Sequence, residues 1–286
     1  MPALSPDLAV VKEQYDRANQ LKEEGKLDEA LSLYLEILES APKYIPAMLG
    51  LAAIYETREE WERVVDYCQE VLSIKPDNFR AYLKLAKANQ EQGNLKGAIA
   101  AYKKAIELQP EQPATVYLAL ANALSVQDER QETVEAYRKA IELKPDVSPN
   151  IYMKLGNFLQ KQGKFDEAAT CYQQALSAQP EDDQPETRAQ LYSKLGAVAL
   201  EQGQLDEAIS NYQQALALNP DLVGAYKGLG DAYEQKGLYD DAIGCYQKAN
   251  ELKPDTPWVN RALGDAMLRQ GRDAEALDCY RKAISM

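Results

Sequence analysis

Apolar residues recur along this chain at spacings of three and four, and glycine or proline interrupts the pattern at regular intervals. The stretch GKFDEAATCYQQALSAQPE, residues 163–181, returns forty residues later as GQLDEAISNYQQALALNPD, residues 203–221. Spacings of three and four place apolar side chains on one face of a helix. Glycine between two such runs and proline after the second predict a helix, a turn, a second helix and a break.

The same pattern recurs through the whole chain. Successive breaks lie 34, 34, 35, 35, 40 and 34 residues apart, at Pro42, Pro76, Pro110, Pro145, Pro180, Pro220 and Pro254. Eight residues before each break lies a tyrosine, with Cys68 as the exception, and twelve before lies a residue that is usually alanine. An eighth copy carries Ala276, Tyr280 and Ala283. This periodicity predicts eight tandem helix pairs, each of which meets the same packing environment.

The first helix of each pair has its own signature. An aromatic residue precedes a Leu-Gly pair by three residues in YMKLGNFL, YSKLGAVAL and YKGLGDAY. A glycine in a helix weakens it unless the missing side chain has a use. We therefore expect Gly156 and Gly196 to lie where the first helix approaches the second most closely.

These marks together resemble the tetratricopeptide repeat. The seventh copy holds every position of the family signature, namely Tyr226, Leu229, Gly230, Tyr233, Ala242, Tyr246, Ala249 and Pro254. The resemblance implies an all-α fold, a right-handed α-solenoid (superhelix) of stacked antiparallel helix pairs. The second copy departs from the signature at Glu59 and Val64, and the fourth at Asp128 and Thr133. We expect those two repeats to be looser or differently packed.

We predict one solenoid over residues 1–286, with an insertion near 181–188. The repeats are predicted near 11–44, 45–78, 79–112, 114–147, 149–182, 189–222, 223–256 and 257–286. The insertion, EDDQPETR, either lengthens a helix or forms a loop. Leu277 and Ile284 on the last helix have no following helix to cover them. That helix is therefore exposed, pairs with another copy, or continues into a longer protein.

The composition excludes most kinds of catalytic site. The chain has no histidine, and its four cysteines show no CxxC spacing, which excludes Cys/His zinc sites and histidine-based catalysis. No glycine-rich phosphate loop or nucleophile motif is present. We expect no enzyme activity, cofactor or metal. The net charge of −13 disfavours nucleic acid. Without a long apolar run or a signal peptide, we expect no membrane insertion and a cytoplasmic location.

The resemblance also implies a binding surface, because the first helices of this family line a concave groove that holds ligand peptides. At the matching position, the first five repeats carry an apolar residue: Tyr15, Leu49, Leu83, Leu118 and Met153. The predicted groove residues are Tyr15, Asn19, Leu49, Leu83, Lys84, Lys87, Leu118, Asn122, Met153, Lys154, Asn157, Lys194 and Lys227. Apolar anchors beside lysines and amides suit a peptide or helical segment that is amphipathic and carries acidic residues.

Three functions remain open from the sequence. The first is a non-catalytic scaffold that binds a protein segment in the groove. The second is the substrate-recruiting part of a larger glycosyl-, sulfo- or methyltransferase. The third is an assembly factor that self-associates through the last helix. Binding of a chaperone's C-terminal carboxylate is disfavoured, because of the family's residues for that site only Asn19 and an Arg80/Lys84 pair in swapped order are present.

Overall fold

The computed structural model describes residues 8–127, 129–144, 149–178, 185–254 and 256–284. Within these ranges it contains sixteen α-helices and no strand. The chain divides into two compact units, an N-terminal unit Met1–Lys144 and a C-terminal unit Pro145–Met286. The N-terminal helices are α1 Leu8–Glu23, α2 Leu27–Ser40, α3 Ile45–Thr57, α4 Trp61–Ile74, α5 Phe79–Glu91, α6 Leu95–Leu108, α7 Ala114–Val126 and α8 Arg130–Leu143. The C-terminal helices are α9 Pro149–Lys161, α10 Phe165–Ser177, α11 Pro185–Glu201, α12 Leu205–Leu218, α13 Val223–Gln235, α14 Tyr239–Leu252, α15 Pro257–Arg269 and α16 Asp273–Ile284.

Each unit is a stack of helix pairs. We call the odd-numbered helices A helices and the even-numbered ones B helices. Within a unit, every helix packs against the helices next to it in the sequence, and neighbouring A helices such as α3 and α5 also touch. Contacts confined to neighbouring repeats are typical of a solenoid. The predicted fold class, an all-α solenoid of stacked antiparallel helix pairs, is confirmed in each unit.

The core of the fifth to eighth repeats is built on a tyrosine of the B helix and a glycine of the A helix. Tyr172 is fully buried, and a Cβ atom on Gly156 would lie 2.6 Å from its ring. Tyr212 and Gly196 form the same contact, at 3.0 Å. The predicted close approach is therefore confirmed. Burying one such ring stabilises the fold by about 1.5–3 kcal/mol relative to leaving it exposed.

The turn between the two helices of a repeat requires a left-handed backbone. Six glycines there have φ between 73° and 79°, at Gly25, Gly93, Gly163, Gly203, Gly237 and Gly271. Glu59 takes the same place in the second repeat with φ of 59°. A side chain in this region costs about 1–2 kcal/mol. At the other departure in the second repeat, Val64 is fully buried, like the alanines at the same position in other repeats. Asp128, the counterpart of Glu59 in the fourth repeat, lies outside the described residues.

The described part of the insertion is helical. Residues 185–188 form the first turn of α11, which has 17 residues, whereas α9 and α13 have 13 each. Residues 181–184 lie outside the described ranges. Of the two outcomes left open by the sequence, a lengthened helix is the one observed for the described residues.

Candidate protein-binding surface

The candidate site is the surface formed by the A helices, which we call the A-helix face. All thirteen predicted groove residues lie on A helices, and each is half-buried or exposed. The N-terminal unit holds Tyr15, Asn19, Leu49, Leu83, Lys84, Lys87, Leu118 and Asn122. The C-terminal unit holds Met153, Lys154, Asn157, Lys194 and Lys227. Each set is available to a ligand on its own unit.

Apolar side chains form a row on the A-helix face of the N-terminal unit. Leu49 on α3, Leu83 on α5 and Leu118 on α7 occupy the same place in successive repeats, and all three are half-buried. Leu49 packs against a small buried cluster that contains Met48 and Val71. Leu49 is therefore supported from beneath, while part of each of the three side chains stays in contact with water.

Two predicted lysines converge on one carboxylate. Lys84 and Lys87 on α5 each place Nζ 2.7 Å from an oxygen of Glu56 on α3. Burial raises the pKa of Glu56, but the hydrogen bonds from both lysines outweigh it and hold the pKa below its ordinary value. Lys87 also lies 5.9 Å from the centre of the Trp61 ring. An acidic ligand would meet these lysines already paired, and it would compete with Glu56 for them.

The predicted asparagines are oriented by the core tyrosines. The hydroxyl oxygen of Tyr172 lies 3.0 Å from both Oδ1 of Asn157 and Oε1 of Gln160, so its single proton is shared between the two acceptors. The pair formed by Tyr34 and Asn19 repeats this bond at 2.7 Å. Tyr137 and Asn122 repeat it at 2.9 Å. Because the carbonyl oxygen accepts from the tyrosine, it is the amide NH₂ that can donate to a ligand.

Carboxylates replace the asparagines at the end of the C-terminal unit. Tyr246 donates to Asp231 at 2.8 Å and to Glu234 at 3.1 Å. Burial, followed by these two carboxylates, raises the pKa of Tyr246. Lys227 pairs with Asp231 at 2.5 Å, and Arg269 pairs with Glu234 at 3.0 Å. Asp231 and Glu234 line a cavity of about 830 Å³ together with Glu201 and Arg269. The sequence predicted Lys227 as a groove cation but did not indicate that Asp231 pairs with it.

The hydrogen bonds between core tyrosines and A-helix residues could have been inferred from a regular spacing in the sequence. In five repeats the tyrosine donates to an Asn or Asp that lies fifteen residues before it. The second repeat has Cys68 and Ala53 in the two places, whereas the sixth keeps Tyr212 with Ala197. The recurrence of an Asn or Asp fifteen residues before the tyrosine is the signal that indicates a contact between the two positions. The role of Glu56 carried no such signal, because its lysines come from the following repeat.

The described residues also limit other kinds of site. No helix among them has the length and apolar character needed to cross a bilayer. No group of three or more His, Cys, Asp or Glu side chains in the described ranges could hold a metal ion. The four cysteines are free thiols, and burial raises the pKa of Cys68 to about 12, which makes that thiol unreactive at neutral pH.

Family models match the chain along most of its length. Tetratricopeptide repeat models match residues 21–87, 90–127 and 114–147. A model of the C-terminal domain of cilia and flagella-associated protein 70, which is itself a tetratricopeptide repeat region, matches residues 145–286. The chain belongs to the tetratricopeptide repeat family. Its sixteen described helices correspond to eight tandem repeats.

Similar curated proteins match this repeat chain over short stretches. It is 30% identical over 86 residues to human general transcription factor 3C polypeptide 3. The aligned stretch covers 30% of this chain and 10% of that protein. It is 34% identical over 79 residues to the general transcriptional corepressor ssn6 of Schizosaccharomyces pombe, 28% of this chain and 7% of that protein. The chain thus spans a tenth or less of these relatives.

Solved structures with a similar fold include other repeat proteins. MamA matches with a TM-score of 0.53 and 25% identity, over 58% of this chain and 93% of that one. YrrB, described as a tetratricopeptide repeat protein with an unusual peptide-binding site, matches with a TM-score of 0.51 and 27% identity. That match covers 66% of this chain and 93% of YrrB.

Proposed function

We propose that this chain is a non-catalytic scaffold that binds a segment of a partner protein along its A-helix face, in the cytoplasm. The row formed by Leu49, Leu83 and Leu118 carries the proposal. Its side chains are partly open to water and evenly repeated along successive A helices, which suits a ligand that extends across several repeats. The likeness to YrrB supports a peptide ligand.

The residues beside the row define the chemistry of that ligand. Lys84 and Lys87 lie one helical turn or less from Leu83 on the same helix, so an apolar anchor and an acidic residue of the ligand can bind side by side. The amide groups of Asn19 and Asn122 can donate to the backbone or side chains of the ligand. The ligand is therefore an amphipathic segment with acidic residues between its apolar anchors.

A double substitution in the row tests this function. Leu83→Asp with Leu118→Asp places two charges where the apolar anchors bind, and we expect it to abolish capture of partners in a cross-linked pull-down. Leu218→Asp with Leu252→Asp is the matched control, because both leucines are 38% exposed on B helices of the C-terminal unit. Retention of the same partners by the first variant, with an unchanged thermal melt, contradicts the proposal.

A second candidate function is self-association through α16. Leu277 is 49% exposed on this helix, and Tyr280 beside it is half-buried. Apolar side chains of that kind suit an interface with the same helix of another copy. Light scattering tests it: a mass that rises with concentration, and that Leu277→Glu returns to the monomer value, supports self-association. A constant monomer mass removes it.

A further inference from the structure

The B helices α2 and α4 leave an open furrow between them in the N-terminal unit. Its volume is about 700 Å³. Buried Met48 and half-buried Leu38 and Tyr67 lie at its floor, and Leu35 and Ile74 lie at its edges, each 37% exposed. We call this cavity the α2–α4 furrow. It has the apolar lining of a site for one or two large side chains.

Unpaired carboxylates surround the α2–α4 furrow. Glu39 and Glu70 line it, and Glu36 and Asp66 are exposed on the same two helices. None of these four carboxylates makes an ion pair within the described part of the chain. Lys43 is the cation among the lining residues. The furrow is therefore apolar at its floor and negatively charged at its rim.

A second furrow shows that this charge is not general to the fold. The cavity of about 430 Å³ between α6 and α8 lies at the corresponding place in the third and fourth repeats, where Ile106, Glu107 and Tyr117 match Leu38, Glu39 and Met48. There, Glu132 is paired with Lys103, and Glu107 is paired with Lys104 at 2.9 Å. The rim carboxylates of that furrow are largely neutralised by lysines of the chain itself. In the α2–α4 furrow, by contrast, the lining lysine Lys43 forms no ion pair with Glu39 or Glu70.

We propose that the α2–α4 furrow is a second docking surface, and that it binds an amphipathic protein segment with Lys or Arg next to its apolar anchors. The apolar side chains enter the furrow between Leu35 and Ile74. The basic residues approach Glu39 and Glu70, which fixes the direction and register of the segment. This ligand has the opposite charge to the one proposed for the A-helix face, so the two surfaces select different partners.

A pair of synthetic peptides provides the probe. Both carry leucine at spacings of three, four and seven on one helical face, and the remaining positions are lysine in one peptide and glutamate in the other. A third peptide has lysine at the same places and serine instead of leucine. Fluorescence anisotropy at physiological ionic strength is the readout, and we expect saturable binding of the lysine–leucine peptide alone.

Matched variants then locate the binding site. We expect Glu39→Lys with Glu70→Lys to weaken the affinity of the chain for the lysine–leucine peptide by about tenfold or more. Glu29→Lys with Glu62→Lys changes the same charge on the same two helices, at exposed positions outside the furrow and its rim, and we expect an effect within about twofold. Leu35→Ser with Ile74→Ser tests the apolar part, with Leu218→Ser and Leu252→Ser as its control.

The outcomes separate specific docking from general attraction to an acidic protein. Equal binding of the lysine–serine peptide, equal loss in the control variants, or no saturable binding overturns the proposal. Preference for the glutamate–leucine peptide overturns it as well. The variant with Leu83→Asp and Leu118→Asp retains the lysine–leucine peptide if the furrow is independent of the A-helix face. Failure of one proposal therefore leaves the other testable.

Discussion

The hydroxyl of Tyr172 donates a hydrogen bond of 3.0 Å to Oδ1 of Asn157, and so joins the buried core of the repeat to the A-helix face. The tyrosine belongs to the B helix and is fully buried, whereas the asparagine lies on the A helix and is half-buried. The same relationship recurs in the first and fourth repeats. A residue that packs the core thereby also sets the orientation of a side chain that a ligand can contact.

Tyr172→Phe tests the energetic value of this bond. We expect it to lower the free energy of unfolding by about 0.5–1.5 kcal/mol, because two side-chain oxygens lose their donor. Tyr212→Phe is the control: its counterpart on the A helix is Ala197, and its hydroxyl makes no hydrogen bond among the described residues. Equal losses in the two variants, measured by urea unfolding, would show that the bond contributes nothing.

Gly228 and Gly224 lie on the same helix, and we expect alanine at these two positions to change the stability of the fold in opposite directions. A Cβ atom on Gly228 would lie 2.1 Å from the Tyr212 ring, whereas nothing lies within 4 Å of one on Gly224. We expect Gly228→Ala to destabilise the fold by about 1–3 kcal/mol through overpacking. Gly224→Ala is expected to stabilise it by about 0.5–1 kcal/mol through helix propensity. Thermal melts that rank the two variants the other way would contradict the packing described for α13.

Glu59→Gly removes a side chain from a left-handed backbone position. The φ of 59° at Glu59 is strained for any residue with a Cβ atom, and the other described turns use glycine there. We expect the variant to be more stable by about 0.5–1 kcal/mol, since the greater freedom of glycine in the unfolded chain offsets part of the gain. Chemical unfolding measures the difference, and a less stable variant would show that the Glu59 side chain makes a compensating contact.

Glu56→Gln tests the pair of lysines through pH. The folded pKa of Glu56 is below its ordinary value, so the stabilisation that its charge provides is complete above the unfolded pKa of about 4.3. It is lost as the pH falls through the lower folded pKa. We expect the wild type to exceed the variant by about 1 kcal/mol at pH 7, and the difference to shrink below about pH 4. A difference that is the same at pH 7 and pH 3 would contradict this account.

The sequence predicted the fold well because its periodic residues report packing directly. Tyr172 and Gly156 recur at fixed spacing since each repeat must bring its two helices to the same close contact, and the structure confirms that contact. The lengthened α11 could not be predicted, because EDDQPETR is compatible with both a loop and a helical turn. The sequence of one repeat also does not show which residues of the next repeat it contacts, and so Lys84 and Lys87 were predicted as groove residues without their partner Glu56.

The sequence allowed the position of the candidate residues to be predicted, but not the ion pairs that their charges make. The thirteen chosen residues all lie on A helices and none is buried, because position within the repeat decides exposure. Whether a lysine is available depends on its ion-pair partner, which is one repeat away for Lys84 (Glu56) and on the same helix for Lys227 (Asp231). Their use by a ligand stays a prediction.

Hydrogen exchange with the captured partner tests the central claim most directly. The full chain is compared with and without the protein identified in the cross-linked pull-down, and protection is mapped onto the sixteen helices. The account predicts added protection in α3, α5 and α7, around Leu49, Leu83 and Leu118, and its loss in the variant with Leu83→Asp and Leu118→Asp. Protection that leaves these three helices unchanged while other helices become protected would contradict it.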